Sequence, residues 1–108
     1  MRMTLKEVCN HVGVTRRAVQ GYEKAGLVRA IEKNKYGHLL YDEAAVERIR
    51  EIKQYQEFGF AVKEIKVLLD TSREEYLEMM ENRLEGMRME MGRMQENVGK
   101  LERLIVME

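Results

Sequence analysis

The 108-residue sequence has no proline, no tryptophan and a single cysteine, Cys9. One cysteine excludes an intrachain disulfide, so the sequence predicts a protein of a reducing compartment, which we expect to be the cytoplasm. Only two Phe and five Tyr accompany a charged fraction of 35%, a composition that favours long solvated helices over a β-sandwich. No apolar run approaches the roughly 18 residues of a membrane span, and no signal peptide is recognisable.

Residues for catalysis or metal binding are also scarce. The sequence shows no Ser/His/Asp set, no paired carboxylates and no glycine-rich phosphate loop, so we do not expect an enzyme. His11 and His38 are the only histidines, and no cysteine lies near His38. The sequence therefore predicts no metal site and no cofactor, and no small-molecule pocket is evident from it.

The overall charge is balanced, but the two signs are separated along the chain. Residues 1–41 contain eight Lys or Arg and three Glu, a net charge of +5, whereas residues 42–108 contain eleven Lys or Arg and sixteen Asp or Glu, a net charge of −5. This asymmetry predicts a basic contact surface carried on an acidic scaffold.

The stretch of residues 4–41 has the pattern of a helix-turn-helix followed by a β-wing. Thr4 opens one helix with a capping box, and Gly13 ends it. Thr15 caps a second helix, which Gly26 ends. Two short helices joined by a brief turn with a glycine are typical of a helix-turn-helix, although an ordinary αα-corner has the same outline.

Two arginines distinguish the DNA-binding interpretation from the αα-corner. Arg16 and Arg17 open the second helix, where their positive charge opposes the helix dipole and where they cannot both face a core. Recognition helices present this first turn to the major groove, where Arg pairs with guanine or holds phosphate. We therefore predict that double-stranded DNA is the anionic partner.

The wing is predicted from two short apolar segments, Leu27–Val28 and Leu39–Tyr41, with a polar turn between them. Basic and aromatic side chains at its tip suit phosphate contact, and a solvated hairpin is the alternative. The predicted wing contacts are Lys33, Lys35, Tyr36 and His38.

Two more helices follow, and then one long helix. Asp42 caps the third, and the fourth runs from Ala61 to Leu69. Residues 70–72 form the only plausible linker, so we place domain boundaries at 1–70 and 71–108. Every a and d position of the last helix is apolar over four heptads, which is typical of a coiled coil. These predicted dimerisation residues are Leu77, Met80, Leu84, Met87, Met91, Met94, Val98, Leu101 and Ile105.

Methionine is unusually frequent on this helix. A copper(I) or oxidant sensor is one interpretation, because thioether sulfur is a soft ligand and oxidises to a sulfoxide. Adaptable packing within the coiled-coil seam is the interpretation we favour, because most of these methionines fall on a and d positions. For Cys9, on the apolar face of the first helix, we favour a buried and unreactive thiol over a sensor.

Several short motifs over about residues 3–70 together point to a known family. These are Thr4–Val8, Gly13–Val19, Tyr22–Val28, Leu40–Glu43, Phe58–Phe60 and Glu64–Leu69. In these motifs the sequence resembles the MerR family of bacterial transcription regulators. The resemblance implies a mainly α fold: a winged helix-turn-helix domain with a small β-wing, followed by a long C-terminal dimerisation helix that forms an antiparallel coiled coil.

The resemblance implies a homodimer that binds a pseudo-palindromic promoter site and distorts it for RNA polymerase. Arg17 matches the family's recognition-helix arginine and Tyr22 its second tyrosine, while Gly21 and Leu39 replace a usual tyrosine and a usual wing arginine. The chain ends after the coiled coil, so we expect no effector domain. The predicted DNA-contacting set is Thr15, Arg16, Arg17, Gln20, Tyr22, Lys33, Lys35, Tyr36 and His38.

Two other functions remain open from the sequence. An excisionase-like accessory factor would use a related winged-helix core, but the long dimerisation helix argues against it. A coiled-coil interaction adaptor with reduced DNA binding would account for Gly21 and Leu39. The basic residues retained on the second helix and the wing argue against the adaptor.

Overall fold

The computed structural model describes residues 1–107 and is mainly α-helical, as predicted. The chain divides into two compact units, the first covering Met1–Asp70 and the second beginning at Thr71. The elements in chain order are β1 (Met3–Thr4), α1 (Leu5–Val12), α2 (Arg16–Lys24), β2 (Glu32–Lys33), β3 (Leu39–Tyr41), α3 (Glu43–Glu57), α4 (Val62–Asp70) and α5 (Arg73–Met107).

The helix-turn-helix forms at the predicted residues. The Thr4 hydroxyl accepts the Glu7 amide at 3.3 Å, and the Glu7 carboxylate accepts the Thr4 amide at 3.0 Å, which completes the capping box. Gly13 ends α1 with φ of 80°, in the left-handed region. The Thr15 hydroxyl then accepts the Ala18 amide at 3.0 Å and starts α2. These caps satisfy backbone groups that the helix ends would otherwise leave unpaired.

The wing differs from the prediction in its first strand. Leu27–Val28 is not a strand, because the Leu27 amide donates to the Tyr22 carbonyl at 3.0 Å and closes the end of α2. The strand lies later, at β2, and pairs antiparallel with β3. The other edge of β3 pairs with β1, a strand that the sequence did not predict. The wing is therefore part of a three-stranded sheet in the order β1-β3-β2.

The core of the first unit lies among α1 to α4 and β3. Asp42 caps α3 as predicted, with its carboxylate accepting the Ala45 amide at 2.9 Å. The apolar stripe of α3 then packs inward, and α4 adds two buried side chains. The buried apolar residues are Val8, Val19, Tyr22, Tyr41, Ala45, Val46, Ile49, Ile52, Phe60, Ile65 and Leu68.

Tyr41 connects β3 to α2 through its hydroxyl. Its ring is fully buried and its hydroxyl donates to the Glu23 carboxylate. Burial, with this hydrogen bond and the nearby carboxylate charge, raises the pKa of Tyr41 well above its usual value of 10.0. The folded chain therefore keeps a proton that the unfolded chain releases above about pH 10.

We expect this tyrosine to contribute no pH dependence below about pH 10 and to lower the free energy of unfolding as the pH rises further. The loss approaches about 1.4 kcal/mol per pH unit. Urea unfolding of Tyr41→Phe between pH 9 and pH 11 should give a shallower decline than the wild type. Tyr36→Phe is the matched control, because Tyr36 is 72% exposed. Equal slopes for wild type and Tyr41→Phe would contradict the assignment.

Gly21 lies inside α2 with nothing within 4 Å of the position of an added Cβ. Gly21→Ala should therefore raise the free energy of unfolding by up to about 1 kcal/mol in a urea titration, because glycine is a poor helix former. Gly37 also has open space, but its φ of +81° is one that alanine adopts poorly. Gly37→Ala should lower the free energy of unfolding. A lower free energy of unfolding for Gly21→Ala, as for Gly37→Ala, would contradict this prediction.

The second unit is a single helix. The Ser72 hydroxyl accepts the Glu75 amide at 3.2 Å near its start, and α5 then continues for 35 residues, about 52 Å at 1.5 Å per residue. None of its residues is buried. Over residues 1–107, no helix combines the length and the apolar character that crossing a membrane requires.

Candidate nucleic-acid interface

The N-terminal half of α2 presents a polar, positively charged face. Arg16 and Arg17 occupy its first two positions, and both are exposed, as are Thr15 and Gln20. Within residues 1–107, neither guanidinium has a salt-bridge partner. Two unpaired cations and the α2 N-terminus therefore meet at one exposed place, where an anionic partner would be stabilised.

The opposite face of α2 is anchored, and this corrects one predicted contact. Tyr22 is only 2% exposed and its hydroxyl donates to the Gln56 side-chain oxygen at 2.6 Å. Burial raises the pKa of Tyr22 above its usual value. The prediction that Tyr22 contacts DNA is therefore wrong for this conformation, because the side chain belongs to the core. Its contact with Gln56 holds α2, and with it Arg16 and Arg17, against the core.

Helix α3 supplies two polar contacts that hold the helix-turn-helix in place. The Lys53 ammonium donates to the Val12 carbonyl at 3.3 Å, at the end of α1, and the Gln56 contact to Tyr22 holds α2. An added Cβ at Gly13 would lie 3.3 Å from the same ammonium, so the turn packs closely on this side chain. Lys53 is one of several charged residues in α3. No sequence signal distinguishes it from the other charged residues of α3.

The tip of the wing is built by Asn34. Its side-chain oxygen accepts the amides of Tyr36 and His38 at 2.9 and 3.0 Å, and its own amide donates to the His38 carbonyl. Gly37 completes the turn with φ of 81°. The predicted wing residues are all exposed, and the Lys35 ammonium lies 5.2 Å from the centre of the Tyr36 ring. The turn thus presents lysine, tyrosine and histidine on one loop.

Not every basic residue of the first unit contributes to this surface. Arg2 forms an ion pair with Glu32 of β2, so its charge is neutralised at the sheet. Of the other basic residues in residues 1–41, none of which forms a salt bridge within residues 1–107, Arg16 and Arg17 lie at the start of α2 and Lys33 and Lys35 lie on the wing, whereas Lys6, Lys24 and Arg29 lie elsewhere. The sequence predicted these two places, and the structure puts the side chains of both at the surface.

The predicted dimerisation residues form a continuous apolar stripe on α5. Met80 is half-buried, and the other eight a and d residues are between 38% and 65% exposed. An apolar stripe of this length is normally covered by a partner.

The sequence matches a family of regulatory proteins and several of its members. Residues 3–72 match the model of the MerR HTH family regulatory proteins. The chain is 33% identical over 69 residues to the mercuric resistance operon regulatory protein of Bacillus cereus, a match covering 64% of this chain and 52% of that protein. It is 35% identical over 69 residues to the nodulation protein NolA of Bradyrhizobium sp. (strain NC92), covering 64% of this chain and 29% of that protein. The chain thus matches about half or less of the length of these relatives.

Solved structures share the fold. A MerR family transcriptional regulator from Bacillus cereus superposes with a TM-score of 0.81 at 23% identity, covering 95% of this chain and 79% of that one. The N-terminal part of the Bacillus subtilis multidrug transporter activator, MtaN, gives 0.73 at 26% identity, with 95% and 97% coverage. HiNmlR, a MerR family regulator lacking the sensor domain and bound to promoter DNA, gives 0.72 at 17% identity, with 91% and 79% coverage. Since the family model matches well over half of the sequence, the chain belongs to the MerR family of helix-turn-helix regulatory proteins.

Proposed function

We propose that the protein is a homodimeric, sequence-specific DNA-binding transcription regulator that acts on a pseudo-palindromic promoter site. The observation that carries the proposal is the pair of exposed arginines at the start of α2, which lack salt-bridge partners within residues 1–107. An enzyme would not need them, and a purely structural helix would be destabilised by them. Membership of a family of regulatory proteins supports the same function.

In this proposal the start of α2 and the wing make different kinds of contact with DNA. Arg16, Arg17 and Gln20 lie on the exposed part of α2, at the spacing of a recognition helix, and read base edges in the major groove. Lys35 and Tyr36 on the wing hold the phosphate backbone, with Lys33 and His38 beside them. Thr15 caps α2 and presents its backbone to the same anion. Tyr22 is left out of the contact set.

The stripe on α5 provides the dimer. One α5 helix buries its a and d residues against the α5 of a second copy, which we propose lies antiparallel as in the family that the sequence resembles. The dimer then carries two recognition helices that bind the same duplex, and this arrangement favours a DNA site with two half-sites. In this role residues 1–70 form the DNA-binding domain and residues 71–108 form the dimerisation helix.

We further propose that binding distorts the promoter so that RNA polymerase can engage it, which places the protein at the bacterial nucleoid. Bending can be tested without knowing the target gene. A duplex selected for binding is inserted at different positions in fragments of equal length, and the gel mobility of each complex is compared. Bending predicts the slowest mobility when the site is central, while equal mobilities would argue for binding without distortion.

A further inference from the structure

The apolar stripe of α5, which we call its seam, consists of the a and d residues, and the type of side chain in it changes along the helix. Its two ends are lined mainly by branched aliphatic residues: Leu77 and Leu84 at one end, with the half-buried Met80 between them, and Val98, Leu101 and Ile105 at the other. The middle is lined by Met87, Met91 and Met94 without interruption. Leucine or isoleucine would specify a packed core more strongly than the flexible thioether does, so three adjacent methionines at the centre can have a role in addition to adaptable packing.

The coiled-coil geometry brings these methionines together in either orientation of the two helices. In an antiparallel pair, each a residue packs in one layer with a d residue of the partner. The two registers with the greatest overlap place Met87 with the partner's Met91, or Met91 with the partner's Met94, at the two-fold axis. In a parallel pair each methionine faces its own copy. The centre of the dimer is therefore a thioether cluster in every case.

The same sulfur atoms are reachable whenever the two chains separate. In the single chain Met91 is 63% exposed, Met94 64% and Met87 38%. A peroxide meets no steric barrier at these side chains in the monomer, whereas pairing would enclose them between two helices.

We propose that Met87, Met91 and Met94 are a methionine-oxidation site at which a peroxide controls dimerisation. The peroxide oxygen–oxygen bond breaks and one oxygen atom forms a bond to the thioether sulfur, so that methionine becomes the sulfoxide and hydrogen peroxide becomes water. Sulfur is oxidised by two electrons and the peroxide is reduced by two. The sulfoxide is polar and chiral, and reductases convert it back to methionine, so the modification is reversible.

The consequence is that oxidation holds the chain in its monomeric form. Re-forming the dimer would bury several polar sulfoxides in an apolar seam that offers them no hydrogen-bond donors. DNA binding that depends on the dimer is lost with it. This inference rests on the proposed homodimer, because the methionines face one another only when two chains pair.

The test uses the full chain carrying Cys9→Ala, which removes thiol chemistry. Mass is measured by light scattering at micromolar concentration before and after treatment with hydrogen peroxide, and peptide mass spectrometry locates the sulfoxides. We expect a dimer before treatment. After conversion of the three central methionines, we expect a monomer and a dimer dissociation constant raised at least about tenfold.

Two variants separate the seam from the rest of the chain. The triple variant Met87→Leu, Met91→Leu, Met94→Leu keeps an apolar seam whose centre peroxide does not modify, and it should remain a dimer after treatment. Met89→Leu is the matched control, because Met89 is 56% exposed on α5 but lies off the seam, and this variant should still dissociate. Circular dichroism confirms that each variant is helical.

Each failure has a distinct meaning. A wild-type chain that stays dimeric with its central methionines converted to sulfoxides would overturn the oxidation site and leave the homodimer intact. Conversion of Met89 to the sulfoxide without conversion of the three central methionines would also overturn the oxidation site and leave the homodimer intact. A chain that is monomeric before any treatment would overturn the proposed homodimer itself.

Discussion

Placing glutamate at Leu84 and Leu101 should make the protein monomeric and weaken its binding to a selected DNA duplex by at least about 100-fold. Both side chains are a or d residues of the α5 stripe, and they are 47% and 60% exposed in the single chain. A carboxylate at either position would have to be buried without a partner when two helices pair. The duplex would then be held by one recognition helix at a time, and the avidity of a two-site contact would be lost.

The matched control adds the same charge away from the seam. The double variant Asn82→Glu, Met89→Glu also introduces two carboxylates on α5, but at heptad f positions. It should remain a dimer and bind the duplex within a few-fold of the wild type at the same salt concentration. Light scattering gives the mass, and fluorescence anisotropy with a labelled duplex gives the affinity. Monomers that retain wild-type affinity would show that dimerisation does not contribute to DNA binding.

Replacing Arg17 by alanine should cost about 1–3 kcal/mol of specific DNA binding per recognition helix and should relax base preference at one position of each half-site. The guanidinium is exposed on the second position of α2 and lacks a salt-bridge partner within residues 1–107. It forms no salt bridge within this range and its charge opposes the α2 dipole, so the thermal stability of the variant should equal or slightly exceed that of the wild type.

Lys35→Ala is the informative comparison for Arg17→Ala. Lys35 lies on the exposed wing turn and is assigned to phosphate, so its loss should weaken binding to all sequences by a similar factor and should reduce the salt dependence. Anisotropy titrations at several salt concentrations, with the selected duplex and a scrambled one, distinguish the two patterns. If Arg17→Ala leaves both affinity and base preference unchanged, α2 is not the recognition helix.

The parts of the fold that follow from local chemistry could be predicted from the sequence. Thr4, Thr15 and Asp42 cap their helices because the capping oxygen and the amide that donates to it lie within one turn of chain. The heptad pattern likewise predicted the long helix, because the repeat that makes one side of it apolar is a property of the sequence itself.

The parts that depend on contacts between distant residues could not be predicted. Strand β1 forms because Met3 pairs with Tyr41 of β3. The strand has only two residues, which is too short for a strand pattern in the sequence. Tyr22 was assigned to DNA by family resemblance, yet Gln56, far along the chain, accepts its hydroxyl in the core. Lys53 reaches the end of α1 by the same kind of long-range contact. An exposed charge and a charge that supports the site look alike in the sequence.

Selection of bound sequences from random duplex DNA tests the central claim most directly. We predict that the full chain enriches an inverted repeat, with two half-sites at one fixed spacing, because the proposed dimer joins two recognition helices through one α5 seam. The monomeric Leu84→Glu, Leu101→Glu variant should enrich at most a single half-site. Failure of the wild-type chain to enrich any sequence, or enrichment of one unrepeated half-site, would contradict a dimeric regulator of this kind.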